Sequence, residues 1–225
     1  MRILIIAAEE EELITAKQAY NSLSKSDKYG LDITYMLTGI GATSTSYRLT
    51  KILNSSAEGF DLAVNIGIAG SFSPEFPIGS VARIEREYFG DLGFETLSGF
   101  QTLFDYNILD ADTFPYRGGA LHAAELSAEV EEALKVYSRA AAVTVQTVSG
   151  VPEKMLQLKR DFLPQIESME GAAFFYVCIM EKIPFIELRS VSNEVGEKNR
   201  KNWNIPLALD SLKEANKRLL GALLR

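Results

Sequence analysis

Arg2-Ile-Leu-Ile-Ile-Ala-Ala8 is a short, nearly continuous apolar run rich in β-branched residues, and Glu9-Glu10-Glu11-Glu12 follows it directly. Such a run belongs to a strand covered on both faces, and the acidic stretch opens a helical pattern that continues through Tyr20. The same alternation returns along the chain. Leu31–Leu37 reads as a strand followed by a helix over Thr43–Leu53, and Leu62–Ile66 as a strand followed by a Gly-, Ser- and Pro-rich loop through Gly79. Ser80–Phe89, Ala141–Val148 and Pro184–Val191 read as further strands. Leu121–Tyr137, Val151–Phe162, Gly171–Lys182 and Ile205–Leu224 read as helices. Gly90–Gly119 is irregular and aromatic and receives no element. This alternation predicts an α/β fold, a three-layer αβα sandwich with a mixed or mostly parallel central sheet and ligands outside the carboxyl ends of its strands.

The chain has 225 residues, 47% of them apolar, enough for one sizeable core and too few for two ordinary catalytic domains with a linker. Residues 1–225 are therefore expected to form a single domain. The formal net charge is -7, and neither sign gathers into a tail or long block, which argues against nucleic acid and anionic membrane surfaces as partners. Apolar runs such as Ile3–Ala8 and Ala172–Met180 are far shorter than a bilayer crossing, and Met1-Arg2 leads into a strand rather than a signal peptide. A soluble, cytoplasmic protein is the expectation. The one cysteine, Cys178, lies in an apolar helix-like run, so it is read as a buried small residue in a reducing compartment.

Several stretches carry candidate chemistry. Carboxylates at Glu9–Glu12 suit a helix's first turn, and one of them could equally serve as a general base for water. Thr38-Gly-Ile-Gly41 and Asn65-Ile-Gly-Ile-Ala-Gly70 each follow a strand, where glycines permit either a tight turn or close approach of backbone amides to a ligand. Neither matches a dinucleotide or phosphate-loop spacing. Glu167-Ser-Met-Glu170 stands before an apolar helix, so Glu170 either caps that helix or faces the sheet's carboxyl edge. Arg189-Ser-Val-Ser-Asn193 ends a strand and puts an amide, both donor and acceptor, at its exit, although Ser-Asn is also common turn chemistry. Glu197–Trp203 is a charged loop, with Lys198 and Lys201 read as solvated and Arg200 and Trp203 as candidates for an anionic or aromatic substituent. His122, at the start of a predicted helix, has no partner at metal-binding spacing, so no metal and no cofactor is assigned.

Taken in order, Ile5-Ile-Ala-Ala-Glu-Glu-Glu-Glu12, Thr38–Gly41, Asn65–Gly70 with Gly79-Ser-Val81, Ser168-Met-Glu-Gly-Ala172 and Arg189–Asn193 resemble the nucleoside phosphorylase and nucleosidase superfamily. The resemblance implies a small nucleoside substrate, with Ile68, Ala69, Gly70, Met169 and Glu170 contacting it, and Glu12 matching the water-activating glutamate of methylthioadenosine/S-adenosylhomocysteine nucleosidases. The chain lacks the Gly-Asp-Pro and arginine segment with which phosphorylases hold phosphate, so hydrolysis is implied. Asn193 stands where adenine-specific nucleosidases carry a proton-donating aspartate. With Arg200 and Trp203, and with Thr147-Val-Ser-Gly150 contributing Ser149, this stretch is similar to the futalosine hydrolases of menaquinone biosynthesis, which release hypoxanthine from a 6-oxopurine nucleoside. Relatives imply a homodimer or higher homo-oligomer. The alternatives are a methylthioadenosine/S-adenosylhomocysteine nucleosidase and a nucleoside-binding module without catalysis.

Overall fold

A computed structural model describes residues 1–24, 28, 30–56, 58–97 and 99–224. The first half alternates β1 (Arg2–Ala7), α1 (Glu10–Asn21), β2 (Asp32–Leu37), α2 (Ala42–Ser55), β3 (Leu62–Ser71) and β4 (Val81–Phe89). A small hairpin follows, β5 (Gly93–Thr96) with β6 (Gly99–Thr102), then β7 (Leu121–His122) and α3 (Ala128–Leu134). The chain continues with β8 (Arg139–Thr144), α4 (Pro152–Phe162), β9 (Ile166–Ser168), α5 (Gly171–Met180), β10 (Phe185–Glu194) and α6 (Ile205–Ala222).

The central sheet is mixed, as expected. β1 runs parallel to β2 and β3, and β3 runs parallel to β10. β10 pairs antiparallel with β4, β4 parallel with β8, β8 parallel with β9, and β9 returns antiparallel to β3. Those five strands close into a ring, with β1 and β2 extending from it. Closure is possible because β3 is long: Leu62–Asn65 pair with β1, while Gly70 and Ser71 pair with β9 along the same edge.

Alternate residues of β1 face the two helical layers, as period-two side-chain placement requires. Ile3 and Ile5 join Leu13, Ala16 and Ala19 of α1 and Leu212, Leu219 and Leu220 of α6. Leu4 and Ile6 join Leu49 and Leu53 of α2 and Phe174, Phe175 and Cys178 of α5. Cys178 is buried and unbridged, as its setting implied. Among the described residues no helix is long and apolar enough to cross a membrane.

Three expectations need correction. The strand predicted to stop at Ile66 continues to Ser71, because β10 keeps pairing with it past Gly67 and Gly70. The helix predicted over Leu121–Tyr137 begins only at Ala128, where the Ser127 hydroxyl accepts the Val130 amide. Before it, Leu121 and His122 pair with Glu87 and Arg86 of β4, so His122 lies in an edge strand and opens no helix. The strand predicted over Ala141–Val148 ends at Thr144, and the Gln146 amide turns aside to Asp91.

Phe174 and Phe175 meet Phe185 at ring-centroid distances of 5.5 and 4.7 Å, and both are fully buried. Phe175→Ala should therefore lower the unfolding free energy by about 3–5 kcal/mol, read from urea denaturation; a loss below about 1 kcal/mol would show that this cluster does not anchor α5 to the sheet.

Candidate active site

β10 carries Glu187 and Arg189 two residues apart, hence on one face of the strand and inside the ring. Arg189 is 1% exposed. Its Nε donates to Glu187 Oε1 at 3.0 Å, and its Nη2 lies 3.9 Å from Glu170 Oε2 with no hydrogen-bond partner of its own. Burial works against the guanidinium's charge, but Glu187, Glu170, Glu12 and Glu87 together outweigh it and hold the pKa above its ordinary value. The backbone of β3 closes over this cation at Gly67. A Cβ there would overlap Arg189 Nη1 and lie 3.1 Å from Glu12 Oε1, so only glycine fits.

Glu12 sits in the first turn of α1 and is 6% exposed. Its Oε2 accepts the amides of Ala8 and Glu9, each at 3.1 Å, and its Oε1 accepts the Ile68 amide at 2.9 Å. Glu12 thus ties down the start of its helix and also faces the cavity. Burial raises its pKa; the Ile68 and Glu9 amides and Arg189 act in the opposite direction. Glu170 does not cap α5, because Ser168 Oγ accepts the Gly171 amide instead. Its Oε1 accepts the Gly41 amide at 2.9 Å, which is the use found for the glycine of the loop after β2.

A cavity of about 250 Å³ opens here, at the carboxyl ends of β1 and β3. Glu12, Ile68, Ala69, Gly70, Met169, Glu170, Asn193, Arg200 and Trp203 all line it. The Trp203 indole N–H donates to Glu197 O at 3.0 Å, leaving its ring for the wall. Asn193 is 4% exposed and held at both ends of its amide: Oδ1 accepts the Ser192 hydroxyl at 2.7 Å, and Nδ2 donates to Glu194 O at 2.9 Å. Ser149 stands behind the wall, its amide donating to Glu167 Oε1 at 3.1 Å. Lys198 and Lys201 are exposed.

Sequence reading gave no role to Arg189, Glu167, Glu87 or Glu187. The signal for the β10 pair was available: Glu187 and Arg189 stand two apart, with Phe185, Ile186, Leu188 and Val191 around them in the strand, a setting in which the two charges are buried as a pair. Glu87 carries no such mark. It is wholly buried on β4, with Oε2 accepting the Thr144 hydroxyl at 2.9 Å, while Glu187 Oε2 accepts Asn65 Nδ2 at 3.2 Å. The two carboxyls converge at Gly171, where a Cβ would overlap Glu87 Oε1 and lie 2.6 Å from Glu187 Oε1. Burial, then the adjacent Glu187 charge, pushes the Glu87 carboxyl well above the ordinary range. Among the described residues no group of His, Cys, Asp and Glu is placed to hold a metal ion.

The fold and this cavity define a class. A family model described as the phosphorylase superfamily matches residues 21–225, and the chain belongs to that superfamily. Within it, futalosine hydrolase from Thermus thermophilus is 30% identical over 195 residues, covering 85% of this chain and 83% of the relative, which places the chain in the futalosine hydrolase family. A 5'-methylthioadenosine/S-adenosylhomocysteine nucleosidase from Maridesulfovibrio salexigens is 26% identical over 216 residues, covering 88% of this chain and 87% of the relative. A solved structure described as a futalosine hydrolase mutant of Helicobacter pylori superposes with a TM-score of 0.78 over 99% of this chain and 98% of that one, at 18% identity, and shares the fold.

A carboxyl whose pKa is higher folded than unfolded contributes stability that is full below its unfolded value, near 4.5 for Glu87, and lost as pH rises through the folded value. Glu87→Gln, isosteric and uncharged, should therefore lose less stability than the wild type as pH rises above the ordinary glutamate value in urea unfolding; parallel curves would show that Glu87 does not titrate there.

Proposed function

We propose that the chain hydrolyses the N-glycosidic bond of a 6-oxopurine nucleoside of the futalosine type, releasing hypoxanthine, and that residues 1–225 act as one catalytic domain. The observation that carries this reading is the placement of two buried carboxylates, Glu12 and Glu170, both facing the buried Arg189 charge, on one wall of a cavity whose other wall presents Asn193.

The chemistry follows from those positions. Water adds its oxygen to the anomeric carbon as the bond to the base nitrogen breaks, through a sugar with oxocarbenium character. Glu12 takes the proton from water, and its two carboxylate oxygens are already oriented by three amides. Glu170 accepts hydrogen bonds from the ribose hydroxyls, with Met169 against the sugar, and its charge favours the cationic transition state. The electrons of the broken bond leave with the base, where the Asn193 amide donates to the ring's acceptor edge. Asn193 cannot supply a proton, so the departing base takes its proton from solvent. Ile68, Ala69 and Gly70 form the floor.

The cavity is smaller than the roughly 300–1,000 Å³ of sites that enclose drug-sized ligands, so a benzoate-bearing tail on the ribose would run out past Arg200 and Trp203 at its mouth. A homodimer whose partner covers that mouth, working in the cytoplasm on a menaquinone precursor, completes the reading. Asn193 in place of an aspartate disfavours an adenine-releasing activity.

Glu12→Gln should lower turnover by about 10²–10⁴-fold with substrate binding retained, and near-normal turnover would remove Glu12 from the mechanism. Because burial lifts the Glu12 carboxyl, kcat/KM should fall on the acid side with an apparent pKa above the ordinary 4.5, and a limb at or below that value would place another group in the base's role. Asn193→Asp should raise the ratio of adenosine-type to inosine-type turnover; an unchanged ratio refutes its part in base choice.

A further inference from the structure

Arg189 sets an electrostatic problem for a reaction that passes through a cationic sugar. Its charge draws Glu12 and Glu170 together, yet it is itself a cation buried directly behind the two carboxylates that line the cavity. Four in-register positions of β3 and β10 show what stands beside it. Asn65 pairs with Glu187 and Gly67 with Arg189, so all four face one side of the sheet. Gly67 leaves room for the guanidinium, Arg189 Nε donates to Glu187 Oε1 at 3.0 Å, and Asn65 Nδ2 donates to Glu187 Oε2 at 3.2 Å. Both oxygens of Glu187 are thereby fixed, at the edge of the guanidinium that Glu170 does not face.

Glu87 arrives from β4, its Oε2 accepting the Thr144 hydroxyl at 2.9 Å. Its Oε1 is buried and no amide or hydroxyl reaches it; it meets the Glu187 carboxyl instead, at the point where Gly171 lacks a side chain. Two carboxyls in contact away from water share a proton rather than both ionise, and the proton belongs to the pair. Cys178, on the neighbouring α5, adds no charge, since burial and then Glu187 push its thiol well above the ordinary range. Neither Glu87 nor Glu187 lines the cavity. A buried ionic cluster is commonly no more stabilising than apolar residues of the same volume, so packing alone does not account for it.

We infer that Glu87 and Glu187 are positioning residues for the hydrolysis: sharing one proton, they set a single negative charge beside Arg189 and offset its cation, so that Glu12 and Glu170 dominate the field at the sugar. Arg189 can then hold two like-charged carboxylates together without repelling the transition state, while the neutral ground state feels little of the balance. The inference rests on the proposed function and adds two residues that touch no substrate and act through Arg189.

The test compares the wild type with the double variant Glu87→Gln/Glu187→Gln, which keeps both shapes and removes the charge whichever oxygen carries the proton. Turnover is followed on whichever of futalosine, inosine and methylthioadenosine the wild type cleaves. Titration calorimetry then compares two analogues of that nucleoside, one with a protonated pyrrolidine in place of ribose and one with a neutral cyclopentane. The double variant should lose about 10- to 30-fold in kcat with KM within about threefold, and the pyrrolidine's advantage over the cyclopentane should shrink by the same factor, as for one unit charge at about 8–12 Å in an effective dielectric of about 20. Restoring Glu187 in the double variant should recover most of both losses. Unchanged kcat and pyrrolidine preference overturn the inference. So does equal weakening of both analogues, the mark of a merely structural pair. If the double variant does not fold, Glu187→Gln, which moves the charge one carboxyl farther from Arg189, should still cut the preference about threefold, and no cut overturns the inference. If the wild type cleaves one of the nucleosides while the variant keeps the full preference, only this inference fails; if the wild type cleaves none, the proposed function fails with it.

Discussion

A guanidinium has been placed where water cannot reach it, and the rest of the site is arranged around that fact. Arg189 is 1% exposed inside a ring of five strands, and removing one partner of such a buried pair generally costs about 3–5 kcal/mol because the other charge is left uncompensated. Glu187 meets it at 3.0 Å through Nε, and Glu170 and Glu12 lie on the side that opens to the cavity. Space for the cluster is made by omission. Gly67 yields to the guanidinium and Gly171 to the carboxyls of Glu87 and Glu187. A side chain at either position would displace the charges rather than merely crowd them.

The carboxylates nearest the cavity are held by backbone as well as by charge. Glu12 takes amides from Ala8, Glu9 and Ile68, and Glu170 takes one from Gly41, so both are fixed by backbone at or just past the carboxyl ends of β1, β2 and β3. Groups fixed in this way need little reorganisation when charge develops on a bound ligand. Asn193 is fixed by its own neighbours, Ser192 and Glu194. The wall facing the proposed sugar is therefore anionic and rigid, while the wall facing the base carries a donor with a defined direction.

Much of this was legible in the sequence. The uninterrupted apolar run after Arg2 implies a strand covered on both faces, and β1 sends Ile3 and Ile5 one way and Leu4 and Ile6 the other. Glu12, Met169, Glu170 and Asn193 stand at strand and helix ends, the positions from which a cavity in such a fold is built. What could not be read were features created by pairing at long range. Gly67 and Gly70 suggest a loop locally, yet β10 keeps them extended, and Leu121 looks helical until β4 offers it an edge. Ser149 was placed near the ligand, and it stands one layer back, behind Glu167. Glu87 is an ordinary strand glutamate in sequence, and its carboxyl is pushed up by burial and then by Glu187, which arrives beside it from a strand a hundred residues later.

Base release from futalosine in phosphate-free buffer, followed beside inosine and methylthioadenosine, bears most directly on the link between this carboxylate-lined cavity and hydrolysis of a 6-oxopurine nucleoside. Rapid appearance of hypoxanthine from futalosine, with methylthioadenosine left intact, is the expected result. Release of adenine from methylthioadenosine in its place, or no release from any of the three, would contradict it.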